Sequence, residues 1–300
     1  MNKLSKLIII AAALLLPAAG FTQDGEPGDR DSLKIAALEA LMSAPPEKAL
    51  PLVDKVLAGN HSTEVKERAL FILSQIDSSE AQATLLRFAR EDSSELQLEA
   101  IRMVGIGGDE EALASLGDVY QAGNRDVKDA VLEAYLIADD ARAIYDIAVN
   151  ADNETDFSEA VDMLGAMGAS SELRELRSQA GMSETLIDAY AVSGDSETLR
   201  ELAMDSSDPD LQTKAIEALG IVGGEDVDNT LVEIYRSAQS DEVREAALTG
   251  MLISGHDSGV LELYRGATDP VQKRQLLEYL VMMDSEAIYD VIDQALAGDQ

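Results

Sequence analysis

Apolar residues recur along this chain with two superimposed periods. Within short segments they fall at i, i+4 and i+8, the spacing of one face of an α-helix. Between segments the same register returns every 28 to 32 residues, with one shorter interval of 25. The stripe opens at Leu33, Val65, Leu96, Val127, Phe157, Met182, Leu211, Val243 and Val271, and its second position is often Ala, as at Ala37, Ala69, Ala100, Ala215 and Ala247. Twelve residues after the opening position stand Asp77, Gly108, Asp139, Gly194, Gly223 and Gly255, with Gly168 one place early. Gly, and less readily Asp, accepts the left-handed conformation that closes a helix. Short polar runs before each stripe supply Ser, Asp, Asn or Thr caps, and Pro209 and Pro270 fall in first turns, where a missing N–H costs nothing.

The pattern predicts nine helices over 31–43, 63–76, 94–106, 125–138, 155–167, 182–193, 209–222, 241–254 and 270–283. A shorter helix follows each, over 47–58, 80–90, 110–121, 140–149, 171–179, 196–204, 227–237, 257–265 and 285–297. Its inner apolar position is Leu52, Leu85, Leu116, Ile144, Leu173, Leu199, Leu231, Val260 or Ile288, with a second apolar residue three places on in every unit but the first, which has Lys55. Two helices in about 30 residues cannot bury enough apolar surface to offset roughly 1–2 kcal/mol of backbone ordering per residue. The units must therefore stack, which gives an all-α, right-handed α-solenoid of antiparallel helix pairs with about nine repeats. The 25-residue interval and Gly165 in the stripe at 155–193 mark a change of curvature or a weak joint.

The segments SDEVREAALTGMLISGHDSGVLELY at 240–264 and DPDLQTKAIEALGIVGGEDVDNTLVEIY at 208–235 resemble the short, roughly 30-residue HEAT-like repeats of bacterial chains. Val243-Arg244 keeps the family's Val-Arg pair, Val65-Lys66 and Val127-Lys128 are conservative forms, and the likeness runs in degraded form over most of 31–297. The resemblance implies a solenoid that binds other proteins, since such motifs specify shape and no particular chemistry. A bilin-attaching subgroup of that family is a poor analogue for a chain of this composition.

Composition sharpens the functional reading. The 300 residues carry 57 Asp plus Glu against 23 Lys plus Arg, a formal charge of -34, which argues against a nucleic-acid binder. Aromatic residues make up 4% and Trp is absent, leaving little to stack on sugars or bases, and with no Cys there are no disulfides or thiolate sites. Residues 1–23 have basic Lys3 and Lys6, an apolar run from Leu7 to Leu16, and small Ala18, Ala19 and Gly20, which together read as a secretory signal peptide. A disordered lead-in at 24–30 and one solenoid domain at 31–297 follow. The expected location is the periplasm, with secretion as the alternative and no membrane insertion after cleavage.

Two residues beyond the inner apolar positions stand Asp54, Asp118, Asp146, Glu175, Glu201, Glu233, Glu262 and Asp290, with Arg87 the one exception. A two-residue step turns a helix by about 200°, so these carboxylates face solvent. If the second helices line the concave wall, the acids form a row there that attracts a protein or peptide with a basic surface. General surface charge is the competing reading. Tyr120, Tyr235 and Tyr264, four residues past an inner position, read as core. Tyr145 and Tyr289, in the matching strings AIYDIA and AIYDVI, read as exposed partner contacts.

Enzyme chemistry finds little support. His61 and His256 both fall in turns, no nucleophile or nucleotide motif is present, and paired carboxylates acting as a hydrolase lack a neighbouring group to separate their pKa values. No cofactor or metal site is expected. The acid-rich turns at 152–156 and 205–210 offer weak divalent-cation contacts at most, because neither has the spacing of a calcium loop. The expectation is a monomeric, non-catalytic scaffold of the cell envelope.

Overall fold

The computed structural model describes residues 27–91, 96–286 and 288–297. The segment expected to direct export lies outside them. All the helices are found within four residues of their expected ends, and the described residues contain no strand. The chain forms two compact units that divide after Ile72.

The first unit holds α1 (Pro27–Ala40), a 3-10 turn (Leu41–Ser43), α2 (Pro46–Ala58) and most of α3 (Thr63–Ser74). Helix α1 begins inside the stretch expected as a lead-in. Its apolar register is not the expected one: Leu33 is 73% exposed and Leu38 is buried. Helix α2 also slips by one residue, burying Ala49, Val53 and Leu57 at i, i+4 and i+8 and leaving Leu52 half exposed. With Val53 as the inner residue, Lys55 ceases to be an exception. Helix α3 follows expectation, with Val65, Ala69 and Leu73 fully buried.

The second unit continues with α4 (Ser79–Ala89), α5 (Gln97–Gly107), α6 (Glu110–Ala122), α7 (Arg125–Ala138), α8 (Ala141–Val149), α9 (Glu154–Met167) and α10 (Ser170–Ala180). After these come α11 (Glu184–Ser193), α12 (Ser196–Met204), α13 (Pro209–Val222), α14 (Glu225–Ser237), α15 (Asp241–Ser254), α16 (Asp257–Gly266), α17 (Pro270–Met282) and α18 (Ile288–Ala297). Local chemistry fixes their ends. Asp109 accepts from the Ala112 N–H at 2.8 Å, Asn124 from Val127 at 3.1 Å and Asp269 from Gln272 at 2.8 Å, each a cap worth about 1 kcal/mol. Gly108, Asp139, Gly168, Gly194, Gly223, Gly255 and Asp284, all at positive φ, close the seven odd-numbered helices from α5 to α17.

Burial confirms most of the inner register: Leu85, Leu116, Ile144, Leu173, Leu199, Leu231 and Val260 are fully buried. At α17 the stripe moves by one, burying Leu276 and Leu280 while Val271 is 73% exposed. The pairing of helices has a different phase from that expected. Outside α10, the even-numbered helices of the second unit pack on the odd helix that follows, α4 on α5, α8 on α9, α12 on α13 and α14 on α15, more extensively than the odd helices pack on their successors. The α10–α11 pair is the lightest of these contacts, at the short 25-residue interval. Tyr135 and Tyr190, buried on odd helices, donate hydroxyl bonds to the Leu113 and Leu173 carbonyls at 3.1 and 3.0 Å and so tie each hairpin across its layers.

Successive odd helices approach through backbone. A Cβ on Gly105 would lie 2.5 Å from the Ala134 carbonyl oxygen, one on Gly165 3.0 Å from the Ala189 Cα, and one on Gly220 2.3 Å from the Gly250 carbonyl oxygen. Neighbouring even helices meet instead through long side chains, such as Arg142 with Glu175. At α5–α7, α9–α11 and α13–α15 the odd helices therefore form the tighter side of the stack. The even helices, expected to line the concave wall, pack less closely there, because Gly and Ala let the odd backbones close while long side chains such as Arg142 and Glu175 meet between the even ones.

Candidate interaction surface

The even helices carry the predicted carboxylates outward. Asp118, Asp146, Glu175, Glu201, Glu233 and Glu262 are exposed on α6, α8, α10, α12, α14 and α16, and Asp54 is exposed on α2 of the first unit. The side chain of Asp290 lies outside the described residues. The structure also brings members of this row within reach of cations from the preceding even helix and, at Asp146, from the same one. Arg142 bonds Glu175 at 2.8 Å and approaches Asp146 at 3.5 Å, Arg177 reaches Glu201 at 3.7 Å, and Arg236 reaches Glu262 at 2.5 Å. Asp118 and Glu233 make no ion pair among the described residues.

Tyr145 corrects one expectation. Its ring is 2% exposed, and its hydroxyl donates to Glu175 Oε1 at 2.9 Å and accepts from Gln179 Nε2 at 2.6 Å. The Arg142 guanidinium covers the ring at 4.1 Å, a cation–π contact. Helix α10 covers α8 at this point, so a residue one step from the core is buried. Hydrogen bonds from Arg142 and then Tyr145 hold the Glu175 carboxyl below its ordinary range, and burial, then the bond to Glu175, pushes the Tyr145 hydroxyl up. Tyr289, in the matching string, is 73% exposed. Tyr120 and Tyr235 are buried as expected, and Tyr264 is half-buried.

His256 lies beside Asp228, Nδ1 to Oδ2 at 3.4 Å, and Ser254 donates to the same carboxylate at 2.9 Å. The Ser258 hydroxyl stands 3.5 Å from that same Nδ1, so carboxylate and hydroxyl compete for one nitrogen, unlike a relay that uses both ring nitrogens. Asp156 in the acid-rich turn at 152–156 is buried and bound by Lys128 at 2.5 Å and Asn153 at 3.0 Å. Among the described residues no three His, Cys, Asp or Glu side chains gather where they could hold a metal ion. No described helix is long and apolar enough to cross a membrane.

One periodic feature escapes the sequence reading. Two residues before the left-handed closing residue, the odd helices expose Ile106, Ile137, Val192, Ile221, Ile253 and Met282, between 37% and 63% accessible. Counting back from the closing Gly or Asp would have found them. Registering the chain on its buried stripe does not, because these residues lie off it.

This architecture is that of a helical repeat protein. HEAT repeats match residues 50–135 and 142–251, and the chain belongs to that family. Both matched stretches begin within an even helix and end within an odd one, the same phase as the packed hairpins. No curated protein matches the chain. Among solved structures, it is similar to the complex of CpcE and CpcF of phycocyanin lyase from Nostoc sp. PCC7120, at 18% identity and a TM-score of 0.34, over 90% of this chain and 98% of that one. It is also similar to human deoxyhypusine hydroxylase in complex with glycerol, at 19% identity and a TM-score of 0.33, over 90% and 92%. Likeness at this level carries no functional argument.

Proposed function

We propose that this chain is an exported, non-catalytic scaffold that holds a protein or peptide with a basic surface, in the periplasm or, alternatively, after secretion. The observation that carries the reading is the recurrence of one exposed carboxylate per even helix from α6 to α16, on a chain of formal charge -34. Such an array raises the local concentration of cationic surfaces and speeds their capture. The shared nitrogen in the His256 cluster and the absence of Cys from the sequence favour a non-catalytic role.

A second reading is favoured by the Arg142, Arg177 and Arg236 contacts, which turn part of the row inward on itself. On that reading the charge serves dispersion and stacking without a specific ligand. Crosslinking in the native envelope at low and high salt, with Asp118→Lys and Glu233→Lys combined, separates the two, because no observed ion pair depends on either residue. The scaffold reading expects a basic partner to be lost above about 0.5 M salt and in the double variant, with helicity unchanged. Identical crosslinks in both proteins at both salts would leave only the dispersive role.

A further inference from the structure

The exposed apolar residues near the ends of the odd helices have no local explanation. Closure of α15 uses His256 N–H to the Met251 carbonyl and Gly255 N–H to that of Leu252, so the customary apolar contact of such a cap does not involve Ile253. Five of the six large residues are β-branched, and β-branched residues are poorer helix formers than the Ala, Leu or Lys that would serve an exposed helical position. Only Ala166 on α9 is small. Helical propensity and solubility both oppose the pattern, yet it returns in nearly every repeat of the second unit.

A second row accompanies the first. Four residues earlier on the same helices, hence one turn away on the same face, stand Glu133, Asp162, Asp188, Glu217 and Glu278, with Arg102 on α5 and Thr249 on α15 as the exceptions. Glu133 is held by Arg102 at 2.7 Å and Asp188 by Lys214 at 3.0 Å, while Asp162, Glu217 and Glu278 make no ion pair among the described residues. Burial, and then the charge of Asp188 on the next odd helix, push the Asp162 carboxyl up, as expected if neighbouring members sense one another. Helices α9, α11, α13 and α15 pack side by side in sequence, so the apolar row runs over α11, α13 and α15 and the acidic row over α9, α11 and α13.

We propose that the odd layer is a docking surface for a basic amphipathic helix of another protein, with its apolar stripe on Val192, Ile221 and Ile253 and its Lys or Arg side chains over Asp162, Asp188 and Glu217. This rests on the scaffold reading for its basic partner and adds a second surface, on the odd layer. Close-packed helices are about 8–10 Å apart, and seven residues of an α-helix rise about 10.5 Å, so apolar residues at i and i+7 of the partner meet successive apolar ridges. The flanking carboxylates supply charge complementarity for a basic stripe beside that seam.

The test uses the full chain and a labelled 18-residue Leu/Lys peptide with helical amphipathic spacing, beside a scrambled peptide of the same composition, in a fluorescence anisotropy titration. The amphipathic peptide should bind at least tenfold more tightly than the scrambled one. Combined Val192→Ser, Ile221→Ser and Ile253→Ser should abolish that difference without changing helicity, and Asp162→Asn with Glu217→Gln should weaken both peptides and flatten the salt dependence. Asp118→Asn with Glu233→Gln on the even layer should leave the difference intact. Equal binding of both peptides to the unaltered chain, or a preference that survives the triple variant, overturns this surface while leaving a basic-partner scaffold standing. If neither peptide binds, both readings fall. Self-association of the chain that the triple variant abolishes would make the row an interface between copies, and would likewise overturn the proposal.

Discussion

Gly220 of α13 lies against Gly250 of α15 so closely that a Cβ on the first would stand 2.3 Å from the carbonyl oxygen of the second. The contact is backbone on backbone, and no side chain can swing away to relieve it. Gly220→Ala should destabilise the protein by about 1–3 kcal/mol despite the better helix propensity of Ala. Gly117→Ala in α6 is the contrast: the nearest atom to its added Cβ is the Tyr135 hydroxyl at 3.9 Å, so the gain of about 0.5–1 kcal/mol in propensity should survive. Denaturant midpoints of the two variants should move in opposite directions.

Gly194→Ala isolates a different cost. A Cβ there meets nothing within 4 Å, yet the residue sits at φ 76° and closes α11. Left-handed backbone costs a residue with a Cβ about 1–2 kcal/mol, so thermal unfolding should occur at a lower temperature although no contact is lost.

Tyr145→Phe should raise the Glu175 pKa toward its ordinary value, since the hydroxyl is one of two donors to that carboxylate. The Arg142 bond remains and keeps part of the depression. A carboxyl-detected NMR titration reads the change; an unmoved Glu175 would mean that Arg142 alone sets it.

Acid should loosen the α7–α9 contact. Lys128, then Asn153, hold the Asp156 carboxyl below the ordinary carboxylate value against the opposing effect of burial. Its contribution is therefore complete above the unfolded-state pKa and fades as pH falls through the lower folded value. Asp156→Asn should lower stability near neutrality and flatten the acid limb of a stability-against-pH curve, measured by urea unfolding at successive pH values.

The sequence by itself determined where the helices are. Capping residues such as Asp109 and Asn124, closing residues such as Gly194, and the i, i+4, i+8 stripes act within a few residues of themselves, so their effect can be read from neighbours in the chain. It also determined that the carboxylates two residues past the inner apolar positions face water, because a fixed helical turn separates the two. Only the tertiary structure decided which helices pair, which layer packs tightly, and where an element with two plausible apolar faces settles. Leu52 and Val53 are adjacent and both apolar, yet one is half exposed and the other fully buried. The clearest instance is the string AIYD, which occurs twice: Tyr145 is 2% exposed and Tyr289 73%. Their local sequences are alike, but α10 covers the first with Glu175 and Gln179, residues some thirty positions away in the chain, and burial of this kind is set by such distant neighbours.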